Sequence, residues 1–263
     1  MKQRIITALG LLIVLVPALL LGGIFFKIIA SFFVVVGCYE ILRLFSDKWP
    51  KWTIYSIYII FILGLITAFN FEYFIQLNCI VLIFLFLILV LYQEVSFEYI
   101  GLIFLVFNII ILTIASIDMM YSINKMLLIY TCLATYITDT FAFFVGKAFG
   151  KHKLNPRISP NKTIEGTLGG YIFGAIISFL FGYFFIKEIN LTFLISGSLI
   201  MPALGQIGDL SFSAIKRHFN IKDFGNLFPG HGGVLDRVDS LTFNCLVMFC
   251  LMSNLLWKNV LLY

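Results

Sequence analysis

Between Gly208 and Ser240 the chain reads G-D-L-S-F-S-A-I-K-R-H-F-N-I-K-D-F-G-N-L-F-P-G-H-G-G-V-L-D-R-V-D-S. This stretch gathers the acids Asp209, Asp223, Asp236 and Asp239 with the bases Lys216, Arg217, Lys222 and Arg237, and it adds His218, His231 and five glycines. Carboxylates that converge repel one another unless a cation sits among them, and hard oxygen ligands of this kind suit Mg2+. Asp236 and Asp239 stand three apart, on one face of a helix that would open there. A lone histidine is ordinarily a satisfied structural residue. His231 lies within P-G-H-G-G, where glycines allow close backbone approach, and those flanks favour contact with phosphate or metal-bound water.

A second polar block runs from Thr138 to Gly166, T-D-T-F-A-F-F-V-G-K-A-F-G-K-H-K-L-N-P-R-I-S-P-N-K-T-I-E-G. Asp139 falls inside an apolar run, where an unpaired carboxylate costs several kcal/mol, so it must meet a base, a metal or water. A buried ion pair is the plain alternative. Ser159-Pro160 reads as a helix cap followed by proline at the first helical position. Such a helix start aims free N–H groups and a positive dipole end at the loop, a place that suits phosphate, with Lys162 and Thr163 adding a charge and a hydroxyl. Lys147, Lys151, His152, Lys153 and Arg157 suit nucleotide phosphates or anionic lipid, although for any one of them a solvated loop or headgroup contact is the default.

The elements that carry these blocks are set by composition. Of 263 residues 61% are hydrophobic and 12% charged, against roughly 25% charged in soluble domains. Apolar runs of about 20 residues recur throughout and read as membrane spans; barrel strands would alternate. The expectation is an all-α, polytopic membrane helical bundle of about nine spans: 5–21, 24–42, 53–71, 73–92, 97–116, 121–145, 167–186, 191–211 and 239–257. Residues 1–120 are expected to form scaffold helices, and 121–263 the catalytic region with polar loops 146–166 and 208–238. Glu40 and Arg43, three apart on one helical face, are read as a structural ion pair. With the N-terminus inside, only Lys27, Lys125, Lys187 and Lys258 of the 18 bases fall outside, which supports a cytoplasmic N-terminus. Both polar loops then emerge on that same side and can build one site.

Gly166, Gly170, Gly174 and Ser178, at every fourth residue, read as a close helix-packing stripe. The five cysteines are scattered in apolar runs without metal-ligand spacing and read as buried free thiols. The net charge of +5 comes with no basic run of the kind that binds nucleic acid.

The run from Ser213 to Asp239 resembles the signature of the phosphatidate cytidylyltransferases (CDP-diacylglycerol synthases). That pattern is S-x-hydrophobic-K-R-x4-K-D-x-small-x2-hydrophobic-P-x-H-G-G-hydrophobic-x-D-R-hydrophobic-D, and the chain departs from it at no fixed position. The upstream G-K-x-F-G-K-H-K-L and S-P-x-K-T-x-E-G blocks and the G-D-L at 208–210 are similar to the same family. The resemblance implies an integral membrane nucleotidyltransferase of phospholipid biosynthesis. It would condense CTP with phosphatidic acid to give CDP-diacylglycerol and pyrophosphate, with Mg2+ as cofactor and a second cation left open. It further implies a homodimer in the inner membrane of a bacterium, with the active site facing the cytoplasm and no nucleic-acid partner.

On that resemblance Asp209 and Asp236 are expected on the metal, with Asp239 and Asp139 as further ligands or as partners of the ligands. Lys216, Arg217, Lys222, Arg237 and Lys162 would hold triphosphate or lipid phosphate. His231, Gly232 and Gly233 would line the phosphate floor, and Asp223 would orient a neighbouring base. Ser159, Thr163 and Glu165 join the substrate-binding set. Two rivals remain. A transferase that joins CDP-diacylglycerol to an alcohol would carry D-G-x2-A-R-x8-G-x3-D-x3-D, which is not found here. A cation or phosphate transporter would spread its acids along a pathway, whereas these cluster at span ends.

Overall fold

An apolar segment in lipid has no water to satisfy its backbone, so it satisfies itself as helix. The computed structural model describes Gly10, Pro17 and residues 21–45, 49–187, 189–228, 230 and 232–260. The helices are α1 (Gly23–Leu42), α2 (Lys51–Ala68), α3 (Phe74–Leu91), α4 (Phe97–Ile123), α5 (Met126–Phe149), α6 (Ile164–Phe185), α7 (Leu191–His218) and α8 (Leu235–Val260). Two short strands, β1 (Lys153–Asn155) and β2 (Ser159–Thr163), stand between α5 and α6. Among the described residues, α1 to α7 are the seven helices long and apolar enough to cross a membrane, against the about nine that the sequence predicts. The predicted span 5–21 lies outside the described residues apart from Gly10 and Pro17. The predicted span 239–257 falls within α8, which is not among the seven.

Two expectations about the polar blocks need correction. Ser159 does not cap a helix; it opens β2, which pairs antiparallel with β1 (Lys153 opposite Thr163, Asn155 opposite Ser159). The turn between them is Asn155-Pro156-Arg157-Ile158, where proline pre-sets the backbone angle that a turn requires and Ile158 N–H donates to Asn155 O over 3.2 Å. The cap of α6 is Thr163, whose hydroxyl accepts from Gly166 N–H at 3.2 Å. The second correction concerns 208–238. Helix α7 continues to His218 and α8 starts at Leu235, so Asp209, Lys216 and Arg217 are helical and only 219–234 is loop.

The described chain divides into two compact units, one of residues 1–118 with 223–237 and the other of 119–222 with 238–263. In the first, α1 packs on α2 and α2 on α3. Phe61 of α2 meets Phe107 of α4 edge to face with ring centroids 5.3 Å apart. Large residues such as Ile75, Ile83 and Val90 of α3 are exposed, as suits a lipid-facing helix.

In the second unit α5, α6 and α7 pack together. The stripe Gly166, Gly170, Gly174 and Ser178 is buried along α6, as its four-residue spacing predicts. A Cβ at Gly170 would lie 2.5 Å from Thr138 O, and one at Gly166 would lie 2.6 Å from Ala142 O. The two backbones therefore touch, which only glycine permits. Two buried polar contacts tie this unit together: Tyr130 and Ser198 hydroxyls meet at 2.8 Å, and Asn244 Nδ2 donates to Thr135 Oγ1 at 2.7 Å, while among the described residues Asn244 Oδ1 meets no donor.

Gly170→Ala should therefore destabilise the protein by about 1–3 kcal/mol through overpacking. Gly101, where an added methyl would meet nothing within 4 Å, should instead tolerate alanine and gain about 0.5–1 kcal/mol. Thermal unfolding in detergent separates the two; equal midpoints would refute the backbone-contact account.

Candidate active site

Glu165, in the first turn of α6, organises the approach to the hairpin. Its Oε2 accepts Lys151 N–H at 3.1 Å and its Oε1 lies 2.6 Å from His152 Nδ1. His152 returns the tie, since its carbonyl accepts Ile164 N–H at 2.9 Å. Arg217, in the last turn of α7, donates from Nε to Ile158 O at 3.3 Å and from an Nη to Ile221 O at 3.0 Å. The hairpin is thereby fastened to the end of α7, and the two polar blocks of the sequence meet.

That fastening delivers Lys162 of β2 to Asp209 of α7, with Nζ 2.5 Å from Oδ2. The other Asp209 oxygen accepts from Ser213 Oγ at 3.3 Å. Both partners of the pair keep about a quarter of their side-chain surface, 25% and 27%, open to a ligand. Asp139 of α5 stands within electrostatic reach of Asp209 and Lys162 and accepts a hydrogen bond from Ser240. Asp239, on the first turns of α8, feels Asp209, Lys216 and Asp139 and accepts Ser240 N–H on Oδ1 at 2.8 Å. The close approach of α7 to α8 requires a glycine: a Cβ at Gly208 would lie 2.8 Å from Asp239 O. Asp139, Asp209 and Asp239 thus act on one another electrostatically, and two ammonium groups, Lys162 and the buried Lys216, offset them. In low dielectric such an arrangement is stable only while the charges alternate. Lys147, Lys151, Lys153, Arg157 and Lys222 of this unit are exposed.

The first unit holds a different constellation. Asp236 is buried, and its Oδ2 accepts Phe224 N–H at 2.8 Å and Gly233 N–H at 2.9 Å. This folds 223–236 back on itself, with Phe228 N–H donating to Gly232 O. Gly230 and Gly232 turn the chain at φ 77° and 83°, where a side chain would be strained. A Cβ on Gly232 would also lie 2.8 Å from Asp236 Oδ2. Asp223 is half-buried and Arg237 exposed. His231 lies outside the described residues.

Sequence reasoning missed Glu40. It is not in an ion pair with Arg43: among the described residues the pairs within 4 Å are His152–Glu165 and Lys162–Asp209. The Glu40 carboxylate instead accepts Val234 N–H at 2.8 Å and Leu235 N–H at 2.9 Å. The signal available was a carboxylate in the last turn of an apolar helix, where it still demands a partner. Among the described residues no group of three or more His, Cys, Asp and Glu side chains is arranged to hold a metal ion by itself.

The model of the cytidylyltransferase family matches residues 2–255. The chain is similar to the phosphatidate cytidylyltransferase of Staphylococcus aureus (strain COL), at 35% identity over 248 residues, covering 92% of this chain and 95% of that protein. It is likewise similar to the phosphatidate cytidylyltransferase of Bacillus subtilis (strain 168), at 33% identity over 261 residues, covering 92% and 94%.

Loss of the Arg217 tie should loosen the hairpin locally. In Arg217→Ala, trypsin should cleave after Arg157 at least about fivefold faster than in the parent, since proteolysis follows local opening. An unchanged cleavage rate would mean that the turn is held by the strand pairing alone.

Proposed function

We propose that this chain, which belongs to the cytidylyltransferase family, condenses CTP with phosphatidic acid to give CDP-diacylglycerol and pyrophosphate. The observation that carries the reading is the joining of both polar blocks at the Lys162–Asp209 pair, in a unit that also carries exposed bases on apolar helices. A water-soluble triphosphate and a lipid headgroup need such a polar focus at the end of a helical bundle. CTP is cytosolic, so the focus faces the cytoplasm, and the chain sits in the inner membrane of a bacterium.

The reaction needs no protein nucleophile. A phosphate oxygen of phosphatidic acid attacks the α-phosphorus of CTP, forming the new O–P bond. The bond from that phosphorus to the bridging oxygen breaks, and pyrophosphate leaves with the electron pair. Positioning and charge neutralisation are what the protein must supply. Lys162, held by Asp209, presents an ammonium whose place is fixed before substrate arrives. Lys216 offsets Asp239 within the same focus. Lys147, Lys151, Lys153, Arg157 and Lys222 attract the triphosphate and the lipid phosphate from solution and membrane surface.

The carboxylates suit Mg2+, which takes one or two of them and completes its shell with phosphate oxygens and water. Asp209 and Asp239 would hold the ion, and Asp139 would support them. Bound there, it would neutralise charge on the phosphates. Asp236 enters the reading as the residue that shapes the loop through Phe224 and Gly233.

Purified protein in mixed micelles should release pyrophosphate only when CTP, phosphatidic acid and Mg2+ are all present. Asp209→Asn and Asp239→Asn should each lower that rate by more than about 100-fold, the size of typical charge-stabilisation effects. Release without phosphatidic acid, or full activity in either variant, would refute the assignment.

A further inference from the structure

A buried carboxylate inside an apolar helix has to be accounted for, and Glu40 of α1 is 2% exposed. Its two oxygens are divided between two consecutive amides: Oε1 takes Val234 N–H and Oε2 takes Leu235 N–H. These belong to the residue before α8 and to the first residue of α8, so Glu40 acts as a cap supplied from another helix. A capping carboxylate satisfies amides that no helical carbonyl can reach, and its charge suits the positive end of the dipole.

The surrounding backbone is cut to fit this carboxylate. A Cβ on Gly225 would lie 2.5 Å from Oε1, and one on Gly233 would strike the same atom. Gly37, one turn earlier on α1, leaves room for Leu235, whose Cδ2 would stand 3.4 Å from an added methyl. The glycines at 225 and 233 thus serve a protein carboxylate as well as any ligand. Asp236 closes the same loop from within by taking Phe224 and Gly233 N–H.

We infer that Glu40 is a positioning residue for the reaction: it fixes the 223–237 segment and the first turn of α8, and through them the presentation of Asp223 and Arg237. This rests on the proposed cytidylyltransferase activity for its kinetic part only. Both carboxylate oxygens must be acceptors. Glutamine at position 40 keeps the size but turns one acceptor into a donor that faces a backbone donor.

The test compares Glu40→Gln, Glu40→Asp and Gly225→Ala with the parent in detergent, below the unfolding temperature and normalised to folded protein. Glu40→Gln should lower kcat for pyrophosphate release by at least about tenfold, with KM for CTP changed less than about threefold. A purely structural role would change the folded fraction and leave kcat per folded molecule alone. Gly225→Ala, which presses on the carboxylate without touching its charge, should reproduce the kcat loss if Glu40→Gln does not fold. Glu40→Asp, which keeps both acceptor oxygens, should recover at least about threefold of the kcat lost in Glu40→Gln.

Hydrogen–deuterium exchange reads the clamp without catalysis. Amides 233–235 should exchange at least about tenfold faster in Glu40→Gln, while those of α6 stay as in the parent. Parental kcat in folded Glu40→Gln and Gly225→Ala, or parental protection at 233–235, would overturn the inference. A parent that releases no pyrophosphate would sink the functional reading instead, and the exchange result would then decide the clamp by itself.

Discussion

A carboxylate in or beside hydrocarbon is tolerable only when donors surround it, and that requirement governs both polar centres of this protein. In the first unit the donors are backbone amides. Glu40 takes two and Asp236 takes two, so a loop with little regular structure acquires a defined path. In the second unit side chains join the backbone as donors, with Ser240 N–H serving Asp239. Lys162 meets Asp209, Ser213 meets its other oxygen, Ser240 serves Asp139, and Lys216 lies near Asp239. The first solution makes shape; the second leaves charge that a ligand can use.

Both solutions depend on backbones that approach closely. The α5–α6 contact at Gly166 and Gly170 brings the end of α5 beside the start of α6, and the hairpin between them carries Lys162. Gly208 performs the same service where α7 meets the backbone of Asp239. Small residues thus set where the charges stand, although none of them carries chemistry. This is the reason a packing stripe that looks remote from the reaction matters to it: widening the gap between helices would separate acid from base before it unfolded anything.

Much of this was legible in the sequence, for identifiable reasons. Apolar runs long enough to span lipid announce helices without any appeal to fine pattern, and the four-residue glycine spacing announced a close helix packing on α6, though not that its partner is α5. The polar blocks were legible as a pair because the count of helices between them put both at one end. What stayed hidden was set by non-local partners. Ser159-Pro160 carries the local marks of a helix start, yet pairing with Lys153–Asn155 makes it a strand. Charged residues after Asp209 suggested a loop, but a helix leaving the apolar layer does not end merely because its side chains become polar. Glu40 had a base three residues on, and that local partner concealed the backbone amides 194 and 195 residues away.

The central claim is that Lys162 and Asp209 act as one unit that joins the two polar blocks at the point of reaction. A double-mutant cycle of Lys162→Met, Asp209→Asn and the combination, read as the rate of pyrophosphate release from CTP and phosphatidic acid, tests it most directly. If the two act together, each single variant loses more than about 30-fold and the double loses little beyond the worse single, since residues that work as a unit are strongly non-additive. Losses that multiply in the double variant would show two independent contributions and would contradict the account.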